Sequence, residues 1–238
     1  MKNYIFNTNF VAAGQHRLEL VKKQKDYMIN CDGQIIITSN RSLYNYNDYL
    51  EFTEPHVKSL CYGLYIENSN GKIKVDNHFP KTKALFIGSM WKNEDIYIVA
   101  NNGFFTNGSH FNYFLKTEDN KNSRSLYELD KIYIIYIKGD MTDNILLQDY
   151  IVEYNADTNT SMITFYQIKP EQILNYISGY SYGFSDLKED TLLLNSVNEG
   201  YAIGNNFNLA SLNDNVEHVD QFFFVNKYIE NMIKGTAK

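Results

Sequence analysis

Four places in this 238-residue sequence put a polar group at the end of an apolar run, and each could carry chemistry. Asp186 and Asp190 directly follow the run Tyr180–Phe184. Two carboxylates four residues apart after a strand could share one hard cation through oxygen ligands, and they suit equally well a loop leading into a helix N-terminus that favours acids. Ser39 closes Gln34-Ile35-Ile36-Ile37-Thr38 and offers a hydroxyl to an anion or caps a following helix. Lys169 stands before Pro170 at an expected helix start, either as an anion-binding ammonium or as a solvated side chain. Asn7 and Asn9 follow Tyr4-Ile5-Phe6 and present neutral amides, which also suit ordinary loop positions in an Asn-rich chain. The five histidines show no pairing at metal-ligand or triad spacing, and no glycine-rich phosphate loop is present.

The elements needed to position these groups follow an α/β rhythm. Strand Tyr4–Phe6, a helix around His16–Lys25, strand Gln34–Thr38 and a helix over Leu43–Leu50 make a strand-helix-strand-helix series. Such a series builds a parallel sheet whose ligand site lies at the carboxyl ends of the strands. A third strand, Gly63–Ile66, runs into the turn signal Asn70-Gly71. From about Phe79 to Ile168 the pattern becomes β-rich, with Ile96–Ala100, Lys131–Ile137 and a hairpin joining Tyr150–Tyr154 to Ser161–Tyr166. The α/β rhythm then returns. Pro170 opens a short helix, Tyr180–Phe184 and Tyr201–Ile203 are strands, Leu192–Leu194 lies in a helix, and Phe222–Ile233 is a closing helix.

Composition narrows the function classes. Hydrophobic residues are 44% and charged residues 21%, ordinary for a globular chain with a sizeable core. A net charge of −6, with no cluster of Lys and Arg, argues against a nucleic-acid partner. The aromatic 15% alternates with aliphatics in strands and reads as buried sheet. Cys31 and Cys61 carry no partnering motif, so neither a disulfide framework nor a zinc site is implied. The opening residues are too polar for a signal peptide, and no stretch approaches 18 apolar residues, so a reducing cytoplasm and no membrane contact are expected.

Over most of its length the chain resembles the haloacid dehalogenase superfamily, in particular its Cof-type sugar-phosphatase-like branch. Phe184-Ser185-Asp186-Leu187-Lys188-Glu189-Asp190, followed by Gly200-Tyr201-Ala202-Ile203-Gly204-Asn205-Asn206, is similar to that family's fourth motif, with Ser185 where Gly is usual. Ile35 to Ser42 resembles the second motif, placing Ser39 at the phosphate-binding hydroxyl and Arg41 at its arginine. Tyr65 to Gly71 is similar to the strand preceding the family's cap, and Lys169 falls at the third-motif lysine.

The resemblance implies a three-layer core with a mainly parallel sheet from 1–78 and 168–238, and an inserted α+β cap from 79–167. It also implies a magnesium-dependent phosphomonoesterase for a small phosphorylated metabolite, bound between core and cap. Mg2+ would be held by Asp186, Asp190 and the residue at position 7, and phosphate by Ser39, Arg41 and Lys169.

The first motif departs from the pattern. The family carries DxDG, in which one Asp attacks phosphorus and the other handles the leaving-group proton, whereas this chain has Asn7-Thr8-Asn9-Phe10. A carboxamide is a poor nucleophile, no base near neutrality and a weaker magnesium ligand than a carboxylate. An alternative register, Ile29-Asn30-Cys31-Asp32-Gly33, retains one acid but leaves too little chain before Ser39 for a crossover helix. Either register lacks the nucleophile, so two outcomes stand: a phosphatase of impaired activity, or a binding or regulatory protein on the same scaffold.

Overall fold

The computed structural model describes residues 1–7, 33–40, 55–111, 123–205 and 207–219. Two compact units divide them. The first takes those within Met1–Ser39, Tyr49–Val75 and Lys169–Lys238; the second takes those within Asp76–Ile168, together with Asn40.

The first unit is built on strands β1 (Lys2–Asn7), β2 (Gly33–Thr38), β3 (Val57–Leu60), β4 (Tyr65–Asn68), β5 (Ile73–Asp76), β11 (Tyr180–Ser185), β12 (Glu199–Ile203) and β13 (Val216–Val219). They form one sheet in the order β13-β12-β11-β1-β2-β3-β4-β5. From β13 across to β3 the neighbours run parallel, and β4 returns antiparallel to β3. The segment expected as a third strand, Gly63–Ile66, leads into this antiparallel return. The parallel neighbour of β2 is instead the four-residue β3, whose Lys58 pairs with Glu67 across the turn.

β1 is buried on both faces because its alternation is apolar on each. Ile5 packs with Ile36, Val57, Ile173, Leu193 and Val197. On the opposite face Tyr4 stacks on Tyr182 and Phe6 on Phe184, with ring centroids 5.3 and 5.0 Å apart. A central parallel strand covered on both sides reads as this kind of continuous hydrophobic run. The helix expected at Pro170 is a 3-10 helix, Pro170–Tyr176, and the helix holding Leu192–Leu194 is Thr191–Ser196.

The second unit holds helix α1 (Lys81–Trp91) and an antiparallel sheet of β6 (Ile96–Ala100), β7 (Gly103–Asn107), β8 (Ile132–Lys138), β9 (Ile151–Asn155) and β10 (Thr160–Thr164), in the order β7-β6-β8-β10-β9. The expected hairpin is β9–β10. Ala84 and Ile87 of α1 join Ile98, Leu126, Ile135 and Ile163 in this unit's core. The expected helices over His16–Lys25, Leu43–Leu50 and Phe222–Ile233 lie outside the described residues. Among the described residues, no helix is long and apolar enough to cross a membrane.

Candidate functional site

β11, β1 and β2 are adjacent and parallel, so their carboxyl ends share one rim of the sheet. The register pairs Phe6 with Phe184 and with Ile37, and Asn7 with Thr38. One step beyond Phe184, Ser185 therefore flanks Asn7, and β3 adds Ser59 opposite Thr38. Ser185, Asn7, Thr38 and Ser59 make a buried polar row across four strands, a place where a sheet interior ordinarily carries apolar side chains.

The row is tied to Asp190. The Asn7 Nδ2 donates to Asp190 Oδ2 at 2.7 Å, and the Ser185 hydroxyl donates to the same oxygen at 2.7 Å. Ser185 in turn accepts the Leu187 amide at 3.0 Å, and the Asp190 amide closes the turn onto the Leu187 carbonyl at 3.1 Å. Asp190 is 2% exposed. Burial pushes its carboxyl up to about 6 against the pull of the Ser185 and Asn7 hydrogen bonds, with the Glu189 and Asp186 charges adding to the rise. Asp186 lies half-buried beside it.

Ser39, just past the end of β2, is buried, with its amide donating to the Ser59 carbonyl at 2.8 Å and its own carbonyl accepting the Tyr62 amide at 3.0 Å. The Tyr62 carbonyl accepts the Lys169 amide at 3.3 Å, so two backbone hydrogen bonds link Ser39 to Lys169 through one residue. That residue sits in an unusual turn. Cys61, Tyr62 and Gly63 have φ of +52°, +55° and +87°. Two non-glycine residues held in the left-handed region cost of order 1 kcal/mol or more each. Only glycine fits at 63, because a Cβ there would stand 2.5 Å from the Lys169 carbonyl oxygen. The Lys169 side chain is exposed, and burial pushes the Cys61 thiol up, which keeps it unreactive.

Of the residues expected at the site, Asn7, Ser39, Asp186 and Asp190 thus lie at one rim, and the backbone of Lys169 is bound to the loop beside Ser39. Asn9 and Arg41 lie outside the described residues. The alternative register falls away, because Gly33 opens β2 opposite Lys2, at the far edge of the sheet from Asn7. Sequence reasoning missed two parts. Ser185 appeared only as a departure from glycine, yet it is a donor to the buried acid. Within the left-handed turn, Gly63 was the one residue type that signalled it.

Asn7, Asp186 and Asp190 do not fit Mg2+ as a shared ligand set. Asn7 turns its N–H, not its metal-binding oxygen, toward Asp190, and Asp190 Oδ2 already accepts two hydrogen bonds. Among the described residues, no three His, Cys, Asp or Glu side chains group to hold a metal.

No protein-family model matches the sequence, and no curated protein is significantly similar to it. Solved structures do match it. A haloacid dehalogenase-like hydrolase from Bacteroides thetaiotaomicron aligns with a TM-score of 0.72 at 15% identity, covering 97% of this chain and 99% of the other. A subclass IIB sugar phosphatase of the same superfamily aligns over 100% of both chains with a TM-score of 0.68 at 12% identity. A haloacid dehalogenase-like hydrolase from B. subtilis aligns over 98% of this chain and 100% of the other, with a TM-score of 0.65 at 14% identity. With alignments spanning both its mainly parallel sheet and its separate antiparallel unit, the chain has the haloacid dehalogenase fold.

Proposed function

We propose that the chain binds a small phosphorylated metabolite on a haloacid dehalogenase scaffold and does not turn it over through an aspartyl-phosphate. The observation that carries this reading is the Asn7 Nδ2 to Asp190 Oδ2 hydrogen bond. It gives the first-motif side chain a structural donor role, and a neutral carboxamide, its nitrogen lone pair delocalised into the carbonyl, is a poor nucleophile toward phosphorus. The Ser39 hydroxyl at the strand end and the exposed Lys169 ammonium support anion binding, one as a neutral donor and the other as a charged one.

The enzyme reading keeps one specific support. An acid near 6 is tuned for proton transfer close to neutrality, so Asp190 suits a general acid or base better than an ordinary carboxylate does.

A generic phosphatase assay separates the two, run on the unmodified chain beside the double variant Asn7→Asp with Asn9→Asp. The binding reading expects no turnover of p-nitrophenyl phosphate by the unmodified chain. It also expects calorimetric binding of inorganic phosphate that weakens about ten-fold in Ser39→Ala or Lys169→Ala, the scale of one charge-assisted hydrogen bond. Turnover by the unmodified chain would contradict it.

A further inference from the structure

The Asn7 and Asp190 pair has a consequence for the ion dependence of the site. Asp190 is a carboxylate 2% exposed, and a charge in that position requires a counter-charge or strong donors. Among the described residues the donors to its Oδ2 are neutral, the Asn7 amide and the Ser185 hydroxyl, each at 2.7 Å. Both are held from behind. Asn7 is locked at the end of a strand paired on two sides, and Ser185 accepts the Leu187 amide at 3.0 Å. The neighbouring Thr38 turns its hydroxyl toward the Phe6 carbonyl at 3.5 Å, so the row adds no further acid.

We propose that the Asn7 carboxamide stands in for a divalent cation at Asp190, so that this rim is complete without metal and its anion binding is indifferent to Mg2+. A carboxylate at position 7 would face Asp190 across the present 2.7 Å contact, and two acids at that distance require a shared proton or a cation between them. Mg2+ can supply that cation, so the single change Asn7→Asp makes the rim respond to magnesium where the natural chain does not.

The thermal-stability arm stands by itself, whereas the phosphate arm rests on the proposed function. Melting temperatures of the full chain and of Asn7→Asp are measured in EDTA and in millimolar MgCl2. The unmodified chain is expected to melt at the same temperature in both. Asn7→Asp is expected to lose on the order of 10 °C in EDTA and to regain most of it with Mg2+. A rise of several degrees for the unmodified chain on adding Mg2+, or an Asn7→Asp protein that Mg2+ does not rescue, overturns the proposal. Should Asn7→Asp fail to fold, calorimetric titration of MgCl2 into the unmodified chain decides instead, with millimolar or tighter binding overturning the proposal and no heat supporting it. Inorganic phosphate binding equal within about two-fold in EDTA and Mg2+ supports both readings. Binding only with Mg2+ overturns this inference and spares the proposed function. Binding in neither condition removes the proposed function and leaves the melting experiment to decide the inference.

Discussion

Asp190 in the first unit and Asp76 in the second each accept two side-chain hydrogen bonds, and the two carboxyls move in opposite directions. At Asp76 partial burial pushes upward, but hydrogen bonds from Lys131 and from the Tyr133 hydroxyl, with the Lys131 charge, outweigh it and hold the carboxyl below the ordinary range. At Asp190 burial is nearly complete and the donors are an amide and a hydroxyl, so desolvation prevails and the carboxyl rises to about 6. The difference is the ammonium. At Asp76 the chain supplies a cation; at Asp190 the described residues supply neutral donors, and the acid keeps its proton affinity near neutrality.

The largest test of this contrast replaces the core acid. Asp190 has a folded value near 6 against roughly 4 in the unfolded chain, so its contribution is fully present below pH 4 and is lost as pH rises through 6. That loss amounts to about 3 kcal/mol, and Asp190→Asn removes it. Chemical denaturation from pH 4 to pH 8 should show the variant gaining on the unmodified chain by about that amount across the range. A parallel offset at all pH values would break the comparison.

A smaller effect comes from the hydroxyl. Ser185→Ala leaves Asp190 one donor fewer and should destabilise by about 2 kcal/mol at pH 8, where the acid is ionised, and by less at pH 4. Equal losses at both values would show that the hydroxyl does not act through the charge.

The smallest effect belongs to the second unit, where the partners are partly exposed. Lys131→Met should cost no more than about 1 kcal/mol, discounted for solvent screening. Its pH dependence has the opposite sign. Because the Asp76 carboxyl is lowered, its contribution is present above the ordinary carboxylate value and lost as pH falls through the folded one, so the variant's deficit should vanish in acid. A deficit that instead grew in acid would reverse the assignment.

How far the sequence revealed these arrangements depended on the type of signal. Ile35-Ile36-Ile37 and Tyr4-Ile5-Phe6 gave their strands away because strands buried on both faces are continuously apolar, and the polar residues closing them marked the rim. Helix α1 left no such trace. Phe86 and Met90 are exposed while Ala84 and Ile87 are buried, so apolar residues occupy both sides of the helix and the 3.6-residue period is blurred. β3 was hidden by its brevity and by Lys58 and Ser59 at positions where a core strand is expected to be apolar. At the site, Asp186 and Asp190 announced themselves by type and spacing, but the direction of the Asn7 amide is a tertiary fact. It depends on a turn 183 residues away bringing Asp190 under the end of β1.

The Asn7 side-chain amide itself reports most directly on the central claim. In 15N-edited NMR spectra, assigned through loss of the signal in Asn7→Leu, its resonance should titrate with a midpoint near 6, following Asp190, and should not move on addition of Mg2+. A resonance that ignores pH across that range, or that shifts and broadens with Mg2+, would contradict the account.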